Sequence, residues 1–112
     1  MEASAPKLET MPRRSLADAL LAEAASEADD GPEGGAYLVL YDFRMGVRRS
    51  IPTKFYENLS RIMRRGRCRF VQKSVVLCED LTTAYAVARL ARYYGAEVAV
   101  YKARPLEWRP GP

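Results

Sequence analysis

Residues 36 to 103 predict an α+β fold with the element order β-α-β-β-α-β. Three observations carry that reading. An almost wholly apolar stretch, "AYLVLYDF", opens the region. Two segments with helical apolar spacing, "IPTKFYENLSRIMRRG" and "LTTAYAVARLARYY", lie further on. Between and after them stand the β-branched and aromatic runs "RCRFVQKSVVLCE" and "AEVAVYKA". Period-two or continuous apolar runs mark strands, and i, i+3, i+4 spacing marks helices.

Each element has its own grounds. The first strand is nearly all apolar, so it belongs in the middle of a sheet with at least one face covered. In the first helix Ile51, Phe55, Leu59 and Ile62 fall on one face. Ser50 is suited to cap that helix, Pro52 is tolerated in its first turn, and Gly66 ends it as a C′ residue. "RCRFVQKSVVLCE" is too long for one strand, so two strands are expected with a reversal near Gln72-Lys73-Ser74. Asp80 caps the second helix, whose apolar face is Ala84, Ala88, Ala91 and either Val87 or Tyr94. Gly95 stops it, and "AEVAVYKA" alternates as the final strand. This order is the split β-α-β, ferredoxin-like pattern: a four-stranded antiparallel sheet with two helices on one face. Its thin core leaves one sheet face open, which favours a homodimer or a ligand there.

The flanks differ in composition. Residues 1–35 read as an acidic, largely flexible extension with a short helix over 16–28. Ser15 is its N-cap, with Asp18 three residues on, and Leu16, Leu20 and Leu21 form a thin apolar stripe. "DDGPEGG", residues 29–35, is a linker. The domain runs over 36–104, and 105–112 is a Pro-rich tail with Trp108 as its anchor.

Charge divides the chain as sharply. Residues 1–35 hold three basic and eight acidic residues, a net of −5. Residues 36–112 hold fifteen basic and six acidic, a net of +9. Such asymmetry points to an acidic partner for the basic part, nucleic acid first. The densest signal is "RIMRRGRCR", with Arg61, Arg64, Arg65, Arg67 and Arg69 within nine residues. Guanidinium groups pair bidentately with phosphate oxygens. Arg44, Arg48, Arg49 and Lys73 are further candidate phosphate contacts.

The chain has no histidine, which excludes Ser-His-Asp and Cys-His catalysis and a histidine general base. Its two cysteines cannot make a zinc site alone. If the hairpin turns about Lys73, Cys68 and Cys78 fall opposite each other. A disulfide and a pair of buried thiols are then both open. No apolar run reaches the ~18 residues of a membrane span, and the N-terminus lacks an apolar signal region. No membrane partner and a cytoplasmic location are therefore expected. One carboxylate, Asp42, stands where the first strand meets a basic loop.

Three stretches together resemble a known family. Val39-Leu40-Tyr41-Asp42 at a strand end, Arg48-Arg49 before a helix, and Arg69-Phe70-Val71-Gln72-Lys73-Ser74-Val75-Val76 across a hairpin are similar to CRISPR-associated protein two. That small protein serves the antiviral machinery that acquires new spacers. The resemblance covers residues 36–103 and implies a ferredoxin-like homodimer. It implies that Asp42 of each subunit meets its twin at the dimer axis and holds a magnesium ion. It implies either a DNA-binding scaffold that assembles with integrase subunits or a metal-dependent endonuclease acting on RNA or DNA, with Asp42 catalytic. Phe43-Arg44-Met45-Gly46 replaces the acidic loop usual after that aspartate. With the acidic extension, this marks a diverged relative, archaeal homologues included. Two other classes stay open: a regulatory protein-interaction module without nuclease activity, and a toxin-like ribonuclease that works without metal.

Overall fold

The computed structural model describes residues 15–28, 35–44, 51–108, 110 and 111. Three helices and four strands follow one another along the chain. Helix α1 spans Leu16–Glu27, strand β1 Ala36–Asp42, helix α2 Thr53–Arg65, strands β2 Cys68–Gln72 and β3 Val75–Cys78, helix α3 Leu81–Tyr93, and strand β4 Glu97–Ala103. The four strands form one antiparallel sheet in the order β2-β3-β1-β4. This open α+β arrangement is compatible with the ferredoxin-like pattern. No helix among the described residues is long and apolar enough to cross a membrane.

The apolar strand is central, as its composition predicts: β1 pairs with β3 on one side and β4 on the other. Its alternation sends Tyr37, Val39 and Tyr41 into the core with Val76 and Cys78 of β3. Helix α2 meets them with Phe55, Leu59 and Ile62, and α3 with Ala84, Val87 and Ala91. Phe55 packs edge-on against Tyr41 at 5.3 Å and Phe43 at 5.0 Å between ring centroids. Each large side chain buried here contributes about 1.5–3 kcal/mol.

Helix α1 is part of this core. Ala17, Leu20 and Ala24 are buried in the same cluster as the sheet residues. The stripe expected on Leu16, Leu20 and Leu21 does face the core, with Leu20 buried and Leu16 and Leu21 half-buried against it, and Ala17 and Ala24 add to the contact. Small residues let helices approach closely. The covering also explains why α3 buries Ala86 and Leu90, which face away from the sheet-side stripe of Ala84, Val87 and Ala91. Buried Asn58 of α2 locks the arrangement. Its Oδ1 accepts from the Ala17 amide at 3.2 Å, one of the N-terminal amides that lack a partner within the helix. Its Nδ2 donates to the Lys54 carbonyl at 3.0 Å. The Ser15 hydroxyl accepts from the Asp18 amide at 3.1 Å, closing the cap foreseen there.

Helix ends follow local chemistry. Asp80 accepts from the Thr83 amide at 2.8 Å and from the Thr83 hydroxyl. Such a cap is worth about 1 kcal/mol. Pro52 stands at the N-cap of α2 without a side-chain cap bond, while Ser50 lies outside the described residues. Gly95 has φ +98°, the left-handed conformation that ends α3. Gly66 differs from its expected C′ role: its φ of −113° and ψ of −177° are extended. The glycine is there for space, since a Cβ would sit 2.3 Å from the Thr83 hydroxyl oxygen.

Candidate nucleic-acid interface

Helix α2 ends in a run of cations because its apolar positions face the core and its remaining positions face out. Arg61, Arg64 and Arg65 are all exposed there. With Ser15 and Asp18 they line an open cleft of about 570 Å³. Arg65 forms a salt bridge with Asp18 across the cleft. The Ser15 hydroxyl and the Arg65 charge hold the Asp18 carboxyl below its ordinary range. Arg64 reaches only the Ser60 hydroxyl, at 3.4 Å, and Arg61 has no ion pair among the described residues.

Beyond Gly66 the chain turns into the edge strand β2. Arg67 pairs with Glu79 at 3.4 Å, and Arg69 stands opposite Leu77. The cluster read as one run in the sequence therefore divides. Three arginines sit on the helix layer, Arg67 in the turn after it, and Arg69 on the edge strand. Lys73 is exposed at the two-residue turn between β2 and β3. Arg48 and Arg49 lie outside the described residues.

The second group lies at the other end of the sheet. Alternation along β1 puts Leu38, Leu40 and Asp42 on the face away from the helices. Register places Leu38 between Leu77 and Tyr101, and Leu40 between Val75 and Ala99. An apolar band thus crosses the open face, with Leu40 36% and Tyr101 56% exposed. Asp42 ends that band, opposite Glu97 of β4. The two carboxylates share a shallow cleft with Ser74 and Val75. Arg44 reaches back to Glu97 at 2.9 Å.

Glu97 is the residue that sequence reading missed. It is the second acid that the loop after Asp42 lacks, and it arrives from the last strand. A register drawn for β4 antiparallel to β1 would have found it. Among the described residues no group of three or more potential metal ligands comes together. Asp42 and Glu97 are oxygen donors of the kind a hard cation takes, but they number two per chain, and Arg44 holds one of them. Neighbouring Tyr41 is no candidate base, since burial, aided by nearby Tyr56, raises its phenol to about 12.

No family model matches the chain, and no curated protein or solved structure matches it either.

Proposed function

We propose that the protein is a nucleic-acid-binding scaffold of ferredoxin-like topology, acting as a homodimer. The observation that carries this reading is the exposed cluster of Arg61, Arg64 and Arg65. Five arginines in nine residues exceed what capping the C-terminus of α2 needs. Arg61 and Arg64 have no acidic partner among the described residues. Planar guanidiniums on a rigid helix end suit phosphates, which set affinity and salt dependence rather than sequence choice. Arg44, Arg67 and Lys73, with Arg48 and Arg49 outside the described residues, are further phosphate contacts in this proposal. The dimer uses the apolar band of the open sheet face. The exposed Leu106 and Trp108 of the C-terminal tail give it a second point of attachment.

Metal-dependent cleavage is the second reading, and one observation favours it: Asp42 stands beside Glu97 at the edge of that band. A twofold axis there would bring two such pairs together, enough oxygen donors for Mg²⁺ with water completing the shell. The bound ion would activate a water and stabilise the leaving oxygen. Membership of a spacer-acquisition complex with integrase subunits stays part of this proposal.

The test is fluorescence anisotropy with labelled duplex DNA and single-stranded RNA over a salt series. The Arg61→Ser/Arg64→Ser variant is expected to lower the slope of log K against log salt by about 1.8 on duplex DNA, from about 0.9 per lost phosphate contact. An unchanged slope would overturn the assignment of these arginines. The same nucleic acids incubated with Mg²⁺, Mn²⁺ or EDTA separate the two readings. Cutting that needs metal and disappears in Asp42→Asn makes the protein a nuclease. Binding without cutting, equal in both proteins, leaves the scaffold.

A further inference from the structure

We propose that Cys68 and Cys78 are an oxidisable dithiol that closes to a cross-strand disulfide, pinning the edge strand β2 to β3. The two residues are direct partners in the β2–β3 ladder, and their sulfur atoms are 3.0 Å apart. The Glu79 amide donates to the Arg67 carbonyl at 3.0 Å, just outside the pair. The cysteines therefore occupy a non-hydrogen-bonded position of the antiparallel ladder. Such positions bring Cα atoms to ~4.5 Å, with the side chains at their closest. That separation lies within the ~4.4–6.8 Å that a disulfide spans. The register and the 3.0 Å between the sulfurs thus place the pair where such a bond is commonly accommodated.

Strand β2 has reason to need such a bond. It is an edge strand, and from Arg69 to Gln72 every residue is exposed. Phe70 is 46% exposed, and the register slips between Phe70 and Gln72. Few buried side chains hold the strand, so its ladder bonds carry most of the attachment. A covalent link at Cys68 fixes the register at the end where the chain leaves Gly66.

The two thiols have different access. Cys68 is half-buried, and Cys78 is fully buried. Its hydrogen bond with Cys68 and its burial keep the proton on Cys78. Oxidation therefore begins at Cys68. Its thiolate attacks one sulfur of a low-molecular-weight disulfide, forming a mixed disulfide and releasing one thiolate. Cys78 then gives up its proton and attacks the Cys68 sulfur, and the second small thiolate leaves. Two protein thiols are oxidised by two electrons, the small disulfide is reduced to two thiols, and both protons pass to them.

Purified full-length protein is incubated with oxidised glutathione, denatured, alkylated and weighed by mass spectrometry. The expected product is a single chain lighter by two hydrogens, with no alkylated thiol and no bound glutathione. Its melting temperature is expected to exceed that of the dithiothreitol-treated protein by on the order of 10 °C, because the bond closes a short loop in the unfolded chain. Cys78→Ala is expected to retain one glutathione on Cys68. Cys68→Ser is expected to take up none, and neither variant's melting temperature changes with reductant. Two alkylated thiols, a lasting glutathione adduct on the unsubstituted protein, or a bond between two chains would each overturn the proposal. So would an intramolecular bond that leaves the melting temperature unchanged.

Discussion

Replacing Gly66 by alanine separates two explanations of that glycine by the sign of the effect. The backbone there is extended, with φ −113°, a conformation any residue adopts. On backbone grounds alone, alanine would stabilise by about 0.4–1 kcal/mol through the unfolded chain. Space argues the opposite. The new Cβ would lie 2.3 Å from the Thr83 hydroxyl oxygen, 2.7 Å from its methyl carbon and 2.8 Å from its Cβ. Carbon atoms in contact prefer about 3.5–4.0 Å. Rotating the threonine side chain relieves the first two overlaps and leaves the third, so backbone must move. Thr83 is buried, and its hydroxyl donates to the Asp80 cap of α3. Overpacking of this kind costs about 1–3 kcal/mol, and disturbing the cap adds about 1. A net loss of about 2 kcal/mol follows, which is on the order of a 10 °C fall in melting temperature. Urea unfolding followed by circular dichroism measures it. Thr83→Ala in the Gly66→Ala background is expected to recover part of the loss, with a coupling of about 1 kcal/mol. A Gly66→Ala protein as stable as the parent would refute the close-approach argument.

Three further predictions follow from the packing and the charges. Leu20→Ala is expected to cost about 2–3 kcal/mol in the same unfolding assay, because Leu20 is 7% exposed within the shared core; a cost under about 0.5 kcal/mol would make α1 a loose appendage. Asp18→Asn tests the Ser15–Asp18–Arg65 group by pH. Because the folded carboxyl titrates below its ordinary 3.8, its stabilisation is present above that pH and is lost as pH falls through the lower folded value. The melting temperatures of parent and variant are thus expected to differ at neutral pH and to converge below pH 3.8; a gap that persists in acid would count against the assignment. Tyr101→Asp tests the proposed dimer: it places a charge in the apolar band and is expected to turn a parent that is dimeric by light scattering into a monomer with the fold retained. A variant as dimeric as its parent would move the proposed interface elsewhere, and a monomeric parent would overturn the proposed dimer.

Much of the secondary structure was legible because local chemistry and periodicity agreed. Asp80 and Ser15 cap the helices they precede, and Gly95 stops α3. The hairpin was harder to place. Its turn is Lys73-Ser74, and Ser74 takes φ +68° without being glycine, so composition carried no turn signal. The role of α1 was not legible either. Its leucine stripe does face the core, but the closeness of the contact depends on Ala17 and Ala24 and on a buried asparagine of α2, which a stripe read from leucines alone does not show. The Asp42–Glu97 pair depends on the register of β1 with β4, which joins residues from opposite ends of the domain.

Folding pairs part of the charge within the chain. In the sequence the acidic first part and the basic remainder look like an appendage and a surface awaiting an acidic partner. In the fold, part of that partner is the chain itself. Asp18 meets Arg65, and Glu23 and Glu27 both meet Arg89. Arg44 and Arg67 are matched by Glu97 and Glu79. Glu79 and Glu97 are already counted in the +9 of residues 36–112, but Asp18, Glu23 and Glu27 are not, so +9 overstates what the surface offers a polyanion. Exposed pairs of this kind are worth about 0–1 kcal/mol each, so a phosphate can displace a carboxylate at little cost. Arg61, Arg64 and Arg69, with no acidic partner among the described residues, need no such exchange. For the proposed nucleic-acid binding, the expected order of affinity loss on substitution follows pairing rather than position in the arginine run: Arg61, Arg64 and Arg69 first, Arg65 and Arg67 after them, and Arg89, doubly matched, least.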